Sequence, residues 1–256
     1  MPLLQVTGLS KSFRGVRALD DYTLQLTPLS IHGVIGPNGA GKTTLFNLLT
    51  GFLKPTSGTI HLLQHDITHA PAYRIAQLGI ARTFQNIRLF GNLSVIENVK
   101  VAWQSQLANS LWATLLSSRA FQQTERELEI RADQCLELVG LTAQRHQEAH
   151  NLPYGDQRKL EIARAVALNP KILLLDEPTA GMNPNETDEI LQLIRRLRDE
   201  LNITIVLVAH DIPLIMNLCT QIQVLNYGRL IAEGTPQTVR TNPEVIAAYL
   251  GQAQDA

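Results

Sequence analysis

Short apolar runs alternate with stretches of helical spacing along most of the chain. "GVIG" at 33–36, "KILLLD" at 171–176 and "ITIVLVAH" at 203–210 are apolar runs of strand length. Runs of that kind predict strands buried on both faces, the habit of parallel sheets. Each feeds a loop or a helical pattern, so the element order predicts an α/β layered core. The clearest helix is predicted from Pro184 to Leu201, where Ile190, Leu193, Ile194, Leu197 and Leu201 fall on one face. Asn183 is placed to cap it and Pro184 suits its first position. Glu186, Asp188 and Glu189 near its start and Arg195, Arg196 and Arg198 near its end suit the helix dipole.

Ahead of the first buried run, "LLQVTGLSKSF" and "YTLQLT" predict strands of an antiparallel sheet, joined later by "GTIHLLQHDIT". From Ser94 to about Gly140 no strand pattern occurs. "SVIENVKVAWQSQLANSLWATLL" and "QTERELEIRADQCLELVG" predict helices, and together a mostly helical insertion. "NPEVIAAYLGQ" predicts a short terminal helix, and the chain has no internal repeat or low-complexity segment.

Composition narrows the picture a little. The 256 residues can bury a substantial core, either as one large domain or as a core with a subdomain. A net charge of −1 gives no electrostatic footprint for nucleic acid. Cys135 and Cys219 stand far apart in no pattern, which points to a reducing compartment without a disulfide framework. "MPLLQVTGLSKSF" lacks the basic-then-apolar build of a secretory signal. No apolar run approaches the ~20 residues that span a bilayer. Work at a membrane would therefore be that of a peripheral subunit.

The chemistry enters with "GPNGAGKT", Gly36, Pro37, Asn38, Gly39, Ala40, Gly41, Lys42 and Thr43, followed by Thr44. It fits G-x-x-x-x-G-K-[ST] between a buried strand and a helix. The glycines let the backbone curl so that N–H groups face a phosphate at the positive end of the helix. Lys42 can reach β- and γ-phosphates and the Thr43 hydroxyl can ligate Mg²⁺. The bland alternative is a glycine-rich strand–helix turn with a solvated lysine. "ILLLDEPTAG" then ends a strand on two acids. Asp176 is placed to hold Mg²⁺ through its water shell, and Glu177 to polarise an attacking water as general base. The alternative is a pair of acids at a sheet edge.

Carrying these two motifs, the chain resembles an ATP-binding cassette (ABC) transporter ATPase along nearly its whole length. Gln85 in "RTFQN" matches the glutamine loop, Leu152, Pro153, Tyr154, Gly155, Asp156 and Gln157 the signature loop, "TAGMN" the loop after the catalytic acid, and His210 in "LVAHD" the switch histidine. Phe13 in "LSKSFRGVRAL" matches the aromatic residue that stacks on adenine, although spacing alone leaves a core aromatic equally open. "GIARTFQNIRLFGNLSVIENV", the signature tyrosine, "QRKLEIARA" and "PEVIAAYLG" are similar to the ATPases of branched-chain or neutral amino acid importers. The boundary with amide or urea importers is soft on these residues.

The resemblance implies a P-loop NTPase of ABC type: a RecA-like parallel-sheet core, an N-terminal antiparallel β-subdomain and an inserted helical subdomain. It places the ATP-binding core and β-subdomain in 1–93 and 165–256, and the helical subdomain with the signature in 94–164. It implies ATP and Mg²⁺ as cofactors, with Thr43, Gln85 and Asp176 around the metal and Lys42, Gln85, Glu177 and His210 around the γ-phosphate. Its implied partners are a second ATPase subunit (related or identical), two membrane-spanning permease subunits and, through them, an extracytoplasmic substrate-binding protein, with no nucleic acid. The implied location is the cytoplasmic face of the inner or plasma membrane. Each ATP would be sandwiched between one chain's P-loop and the other's signature loop, and the helical insertion near 86–90 would form the groove for a permease helix. Alternatives are another cargo, an exporter, a soluble ABC ATPase and a non-hydrolytic switch; Glu177 speaks against the last.

Three segments depart from the family pattern. Pro153 stands in place of a serine, removing a hydroxyl and an N–H from the partner's γ-phosphate contacts, a loss of about 1.5–3 kcal/mol or ~10–100-fold in closure. With its own P-loop, Asp176, Glu177, Gln85 and His210 intact, the site this chain owns is expected to hydrolyse ATP, and the site it completes for its partner to be weakened. Asn183 stands for an aspartate, with capping as a sufficient role. "TPLSIHG" has Leu29 and Ser30 where the family turn has Gly and Glu, so an altered turn is expected there. His61, His65 and His69 lie in a predicted strand and turn, where a spacing of four gives a solvated surface rather than a metal site. Trp103 and Trp112 are expected in the core of the helical insertion.

Overall fold

The computed structural model describes residues 2–104, 118–209 and 211–250. The chain divides into two compact units, Met1–Arg82 with Lys171–Glu177 and Ile194–Ala256, and Thr83–Pro170 with Pro178–Leu193.

The first unit holds two sheets. Strands β1 (Leu4–Phe13), β2 (Val16–Leu26), β4 (Ser57–Leu62) and β5 (His65–Asp66) form an antiparallel sheet in the order β2-β1-β4-β5. The alternation in β1 and β2 turns Leu4, Val6, Leu19, Tyr22, Leu24 and Leu26 inward. β2 starts six residues before the predicted run because Arg14 and Gly15, at φ 45° and 93°, make the two-residue hairpin turn that joins it to β1.

The second sheet runs β10-β9-β3-β8-β7-β6, with β3 (Ile31–Ile35), β6 (Ile80–Arg82), β7 (Ile172–Asp176), β8 (Thr204–Val208), β9 (Gln221–Asn226) and β10 (Arg229–Gly234). Neighbours from β9 through β6 are parallel and β10 is antiparallel. Every residue of β3, β7 and β8 is buried, as unbroken apolar runs require. β3 begins two residues before the predicted run because His32, although polar, is 3% exposed and lies inside the sheet. Helix α1 (Lys42–Leu49) follows β3, and its Leu45, Phe46, Leu48 and Leu49 join Leu4, Leu24, Val34, Leu174 and Val206 in one apolar cluster. Both sheets therefore share one core.

The turn before β3 keeps a left-handed residue. Leu29 stands at φ 62°, the region a glycine would take without strain, and its N–H donates to Thr204 Oγ1 at 3.0 Å. The expected change of turn is thus a strained leucine in a glycine-like conformation. Helix α2 (Ala72–Leu78) precedes β6.

The second unit is helical: α3 (Val95–Gln104), α4 (Ser118–Val139) and α5 (Tyr154–Val166), with two 3₁₀ turns at Thr142–Gln144 and Ala149–Asn151. Ser94 and Glu97 close α3 with a reciprocal capping box. Val95, Val99, Leu128, Ala132 and Leu136 are buried between α3, α4 and α5. Asn98, wholly buried, bonds both backbone groups of Phe90 and so anchors the loop before α3. Trp103 is half-buried under Arg131, 4.3 Å from the guanidinium carbon to the ring centre, and Trp112 lies outside the described residues.

Helix α6 (Pro184–Leu201) has the predicted length, and Asn183 caps it reciprocally with Glu186 at 3.0 Å in each direction. The chain closes with α7 (Ile212–Leu218), α8 (Pro236–Arg240) and α9 (Pro243–Leu250). Cys135 and Cys219 are free. No helix among the described residues is long and apolar enough to cross a membrane.

Candidate nucleotide-binding site

The loop between β3 and α1 carries residues 36–41. Gly36 runs so close to β9 that a Cβ there would lie 2.1 Å from the Leu225 carbonyl oxygen. Gly41 is the N-cap of α1 at φ 106°, with its missing Cβ 2.6 Å from the Ala18 carbonyl oxygen. Neither position admits another residue without moving backbone. No side chain caps α1 and no acid stands in its first turn, so its leading N–H groups point outward as an anion seat.

Lys42 is buried, and its Nζ donates to the Gly36 carbonyl at 2.6 Å and the Pro37 carbonyl at 2.9 Å. Burial lowers its pKa, opposed by the negative charges of Glu177 and Asp176. The ammonium therefore lies in the field of both acids while its donors are held by the loop. Thr43 is exposed, Thr44 half-buried, Pro37 and Ala40 buried, and Asn38 and Gly39 exposed.

Asp176 ends β7, in register with Val208 of β8. Its Oδ2 accepts from Arg82 Nη2 at 2.8 Å, and both side chains are almost wholly buried. Arg82 Nη1 donates to Asn47 Oδ1 of α1 at 2.7 Å and its guanidinium lies 5.3 Å over the Phe46 ring. Glu177 follows at φ 48°, with its N–H bonded to the Val208 carbonyl at 2.8 Å. A glutamate in the left-handed region stores roughly 1–3 kcal/mol, and strain of that kind gathers at functional sites. Oxygen donors of carboxylate and hydroxyl type suit a hard cation such as Mg²⁺, and Asp176 and Thr43 provide them. Among the described residues no group of three or more His, Cys, Asp or Glu is placed to hold a metal ion; His61 is half-buried in β4 and His65 and His69 are exposed.

Phe13 ends β1 on the first unit's antiparallel sheet, 42% exposed, with the Lys11 ammonium 5.2 Å from its ring centre. At that exposure Phe13 is not a core aromatic. His210 lies outside the described residues.

The signature residues open α5 in the second unit. Pro153 is the N-cap, with Leu152 before it extended at φ −71° and ψ 145°, as a residue preceding proline must be. The cap has no side-chain bond; the Pro153 carbonyl accepts from Gln157 N–H at 2.9 Å, and Gln157 Nε2 donates to the Leu152 carbonyl at 2.9 Å. Leu152 and Gly155 are buried and Tyr154 is 44% exposed. A Cβ on Gly155 would sit 3.0 Å from Glu186 Oε1, so the start of α6 is packed against the signature. Gln85 lies in the same unit, its carbonyl held by Arg158 of α5 at 2.9 Å.

The structure thus brings Lys42, Asp176 and Glu177 together in one unit and Gln85 and the signature loop together in the other. Arg82, Arg158 and Glu161 were not singled out from sequence. The signals were an arginine ending an apolar strand and an Arg–Glu pair three apart on a helix.

Residues 19–180 match the family described as "ABC transporter", and residues 229–255 match "Branched-chain amino acid ATP-binding cassette transporter". The chain is 49% identical over 252 residues to the high-affinity branched-chain amino acid transport ATP-binding protein LivG of Escherichia coli K12, covering 98% of this chain and 99% of that one. It is 46% identical to BraF of Pseudomonas aeruginosa at the same coverage, and 34% identical to the lipopolysaccharide export ATP-binding protein LptB of Acidithiobacillus ferridurans, covering 97% of each. Among solved structures, the ADP conformation of the ATP-binding cassette MJ1267 matches with a TM-score of 0.85 and 29% identity, over 98% of this chain and 99% of that one. The dimeric cassette MJ0796 matches with a TM-score of 0.77 and 25% identity, over 91% and 98%. With a P-loop, an adjacent acidic strand end and these likenesses, the chain belongs to the ATP-binding cassette family of ABC transporter ATPases.

Proposed function

We propose that the protein is the ATP-hydrolysing subunit of an importer for branched-chain amino acids, working at the cytoplasmic face of the membrane with two permease subunits and an extracytoplasmic binding protein. The observation that carries the ATPase reading is the uncapped, acid-free start of α1 beside Lys42, Asp176 and Glu177. The cargo reading is supported by the match at residues 229–255 and by the names of relatives at 49% and 46% identity.

In this reading the N–H groups of Gly36 and of residues 38–44 cradle the phosphates, with Pro37 contributing none, and Phe13 stacks on the adenine. Lys42 leaves the Gly36 and Pro37 carbonyls for the β- and γ-phosphates. Bound Mg²⁺ would supply charge neutralisation between phosphates, with Thr43, Asp176 and Gln85 as its holders. Glu177 orients and polarises the attacking water, and Gln85 and His210 sense the γ-phosphate. Catalysis is then positioning plus electrostatics. Leu152–Gln157 close over the ATP of a second ATPase subunit, a reading supported by the dimer form of the MJ0796 cassette. Closure is a rigid-body switch driven by contacts made only with ATP present.

The test is uptake of radiolabelled leucine, isoleucine and valine by cells expressing the protein or its Glu177→Gln variant in place of the native chain. Equal loss of uptake for all three with Glu177→Gln supports the reading. Unimpaired uptake, or loss only for an unrelated solute, overturns the cargo, while phosphate release by the purified protein reports on the ATPase separately.

A further inference from the structure

The segment from Phe84 to Arg88 holds Gln85, and its backbone is bonded to a charge pair inside α5. Arg158 Nη1 donates to the Phe84 carbonyl at 2.7 Å and Nη2 to the Gln85 carbonyl at 2.9 Å. Glu161 accepts from the Phe84 N–H at 3.1 Å and from the Arg88 N–H. Arg158 and Glu161 join each other at 2.7 Å, with 0% and 6% of their side chains exposed. Arg164, a turn further on, donates to the Arg88 carbonyl.

A buried ion pair is a poor route to stability, because desolvation offsets most of the attraction. What this pair supplies is geometry. The planar guanidinium reaches two successive carbonyls and a carboxylate at once, which an ammonium cannot reproduce. The carboxylate meets N–H groups from both ends of the segment. The helix that carries the pair also begins with the signature residues Tyr154 and Gly155.

We propose that Arg158 and Glu161 are positioning residues that lock the Gln85 backbone to the signature helix, so that the γ-phosphate sensor and the signature loop move as one piece. The inference rests on the reading of Gln85 given above and extends it. ATP bound by this chain and ATP bound by its partner are then coupled through one rigid element, a two-position device of the kind coupling requires.

The experiment compares the full-length protein with Arg158→Lys, Glu161→Gln, Gln85→Ala and the double variant Arg158→Lys/Gln85→Ala. Turnover and KM for ATP are measured alongside amide hydrogen exchange over peptides covering 84–88. Arg158→Lys is expected to lower kcat about tenfold with KM changed less than about twofold, and to add nothing once Gln85 is alanine. Exchange over 84–88 is expected to rise about tenfold or more while the P-loop peptide is unchanged. Glu161→Gln, nearly isosteric, should act the same way and serves if Arg158→Lys does not fold. Multiplicative loss in the double variant, or faster exchange with unchanged kcat, overturns the coupling. Full turnover in Gln85→Ala would instead sink the sensor reading itself, and the proposal with it.

Discussion

Arg82, the last residue of β6, and Asp176, the last residue of β7, are paired at 2.8 Å with 5% and 7% of their side chains exposed. Because Arg82 also bonds Asn47 of α1, one guanidinium ties the phosphate-loop helix to the acidic strand. Removing it leaves a buried carboxylate without that partner. Arg82→Met is expected to cost about 3–5 kcal/mol, the usual penalty for breaking a buried pair. Thermal unfolding should show the midpoint falling by about 10 °C. Adding Asp176→Asn should restore at least half of the loss; no recovery would place the cost outside the pair.

Pro153 occupies the N-cap of α5 without a side-chain bond. Serine there can accept from the first turn and is expected to add about 0.5–2 kcal/mol. Loss of proline's restraint on the unfolded chain takes back about 0.4–1 kcal/mol. The protein alone should therefore change in stability by under about 1.5 kcal/mol, measurable by urea unfolding. The effect on an ATP-closed dimer should be larger, a gain of ~10–100-fold in association as the serine hydroxyl and N–H return to the partner's γ-phosphate contacts. Sedimentation of Pro153→Ser in a Glu177→Gln background reads it directly. An unchanged association constant would make the proline neutral at the partner's site.

Glu177→Gln keeps the shape of the side chain and removes its basicity. With MgATP the variant is expected to form a dimer that the wild type forms only transiently, and to release phosphate at least about a hundredfold more slowly. Light scattering with and without ATP checks the first. A monomer at every ATP concentration would mean that a different chain must supply the second signature.

His32 sits inside β3, and burial pushes its pKa down to about 4 from 6.5. Above pH 6.5 neither the folded nor the unfolded form carries the proton, and the residue costs nothing by titration. As the pH falls from 6.5 toward 4 the unfolded chain takes the proton first. Stability then declines by 1.36 kcal/mol per unit, roughly 3 kcal/mol in all. His32→Leu should remove that part of the pH dependence. Parallel wild-type and variant stability curves between pH 6.5 and 4 would contradict it.

Local order was largely legible in the amino-acid sequence. Three apolar runs became the buried strands β3, β7 and β8, and α6 begins and ends at the predicted residues. The glycine-rich loop at 36–41 and the acidic end of β7 were readable because both rest on particular residues a few positions apart. Some boundaries were missed: β8 ends at Val208, the run expected over 58–68 breaks into β4 and β5 at Leu63, which stands at φ 53°, and polar residues behave against type at two others. His32 extends β3 inward, and Arg14 with Gly15 extends β2 by folding a hairpin.

What the sequence by itself determined is therefore the buried strands β3, β7 and β8, the long helix α6 and the glycine-rich and acidic segments beside them, since periodicity and spacing act over a few residues; β6, β9 and β10 take their strand form from the sheet they join. What only the tertiary structure decided is which distant charges meet. Arg82 reaches Asp176 across 94 positions, and Arg158 reaches Phe84 and Gln85 across 74 and 73. Sheet order and helix packing create those contacts, and no local pattern encodes them. A buried charge can persist only where such a partner arrives to replace water, so these residues take their meaning from the fold.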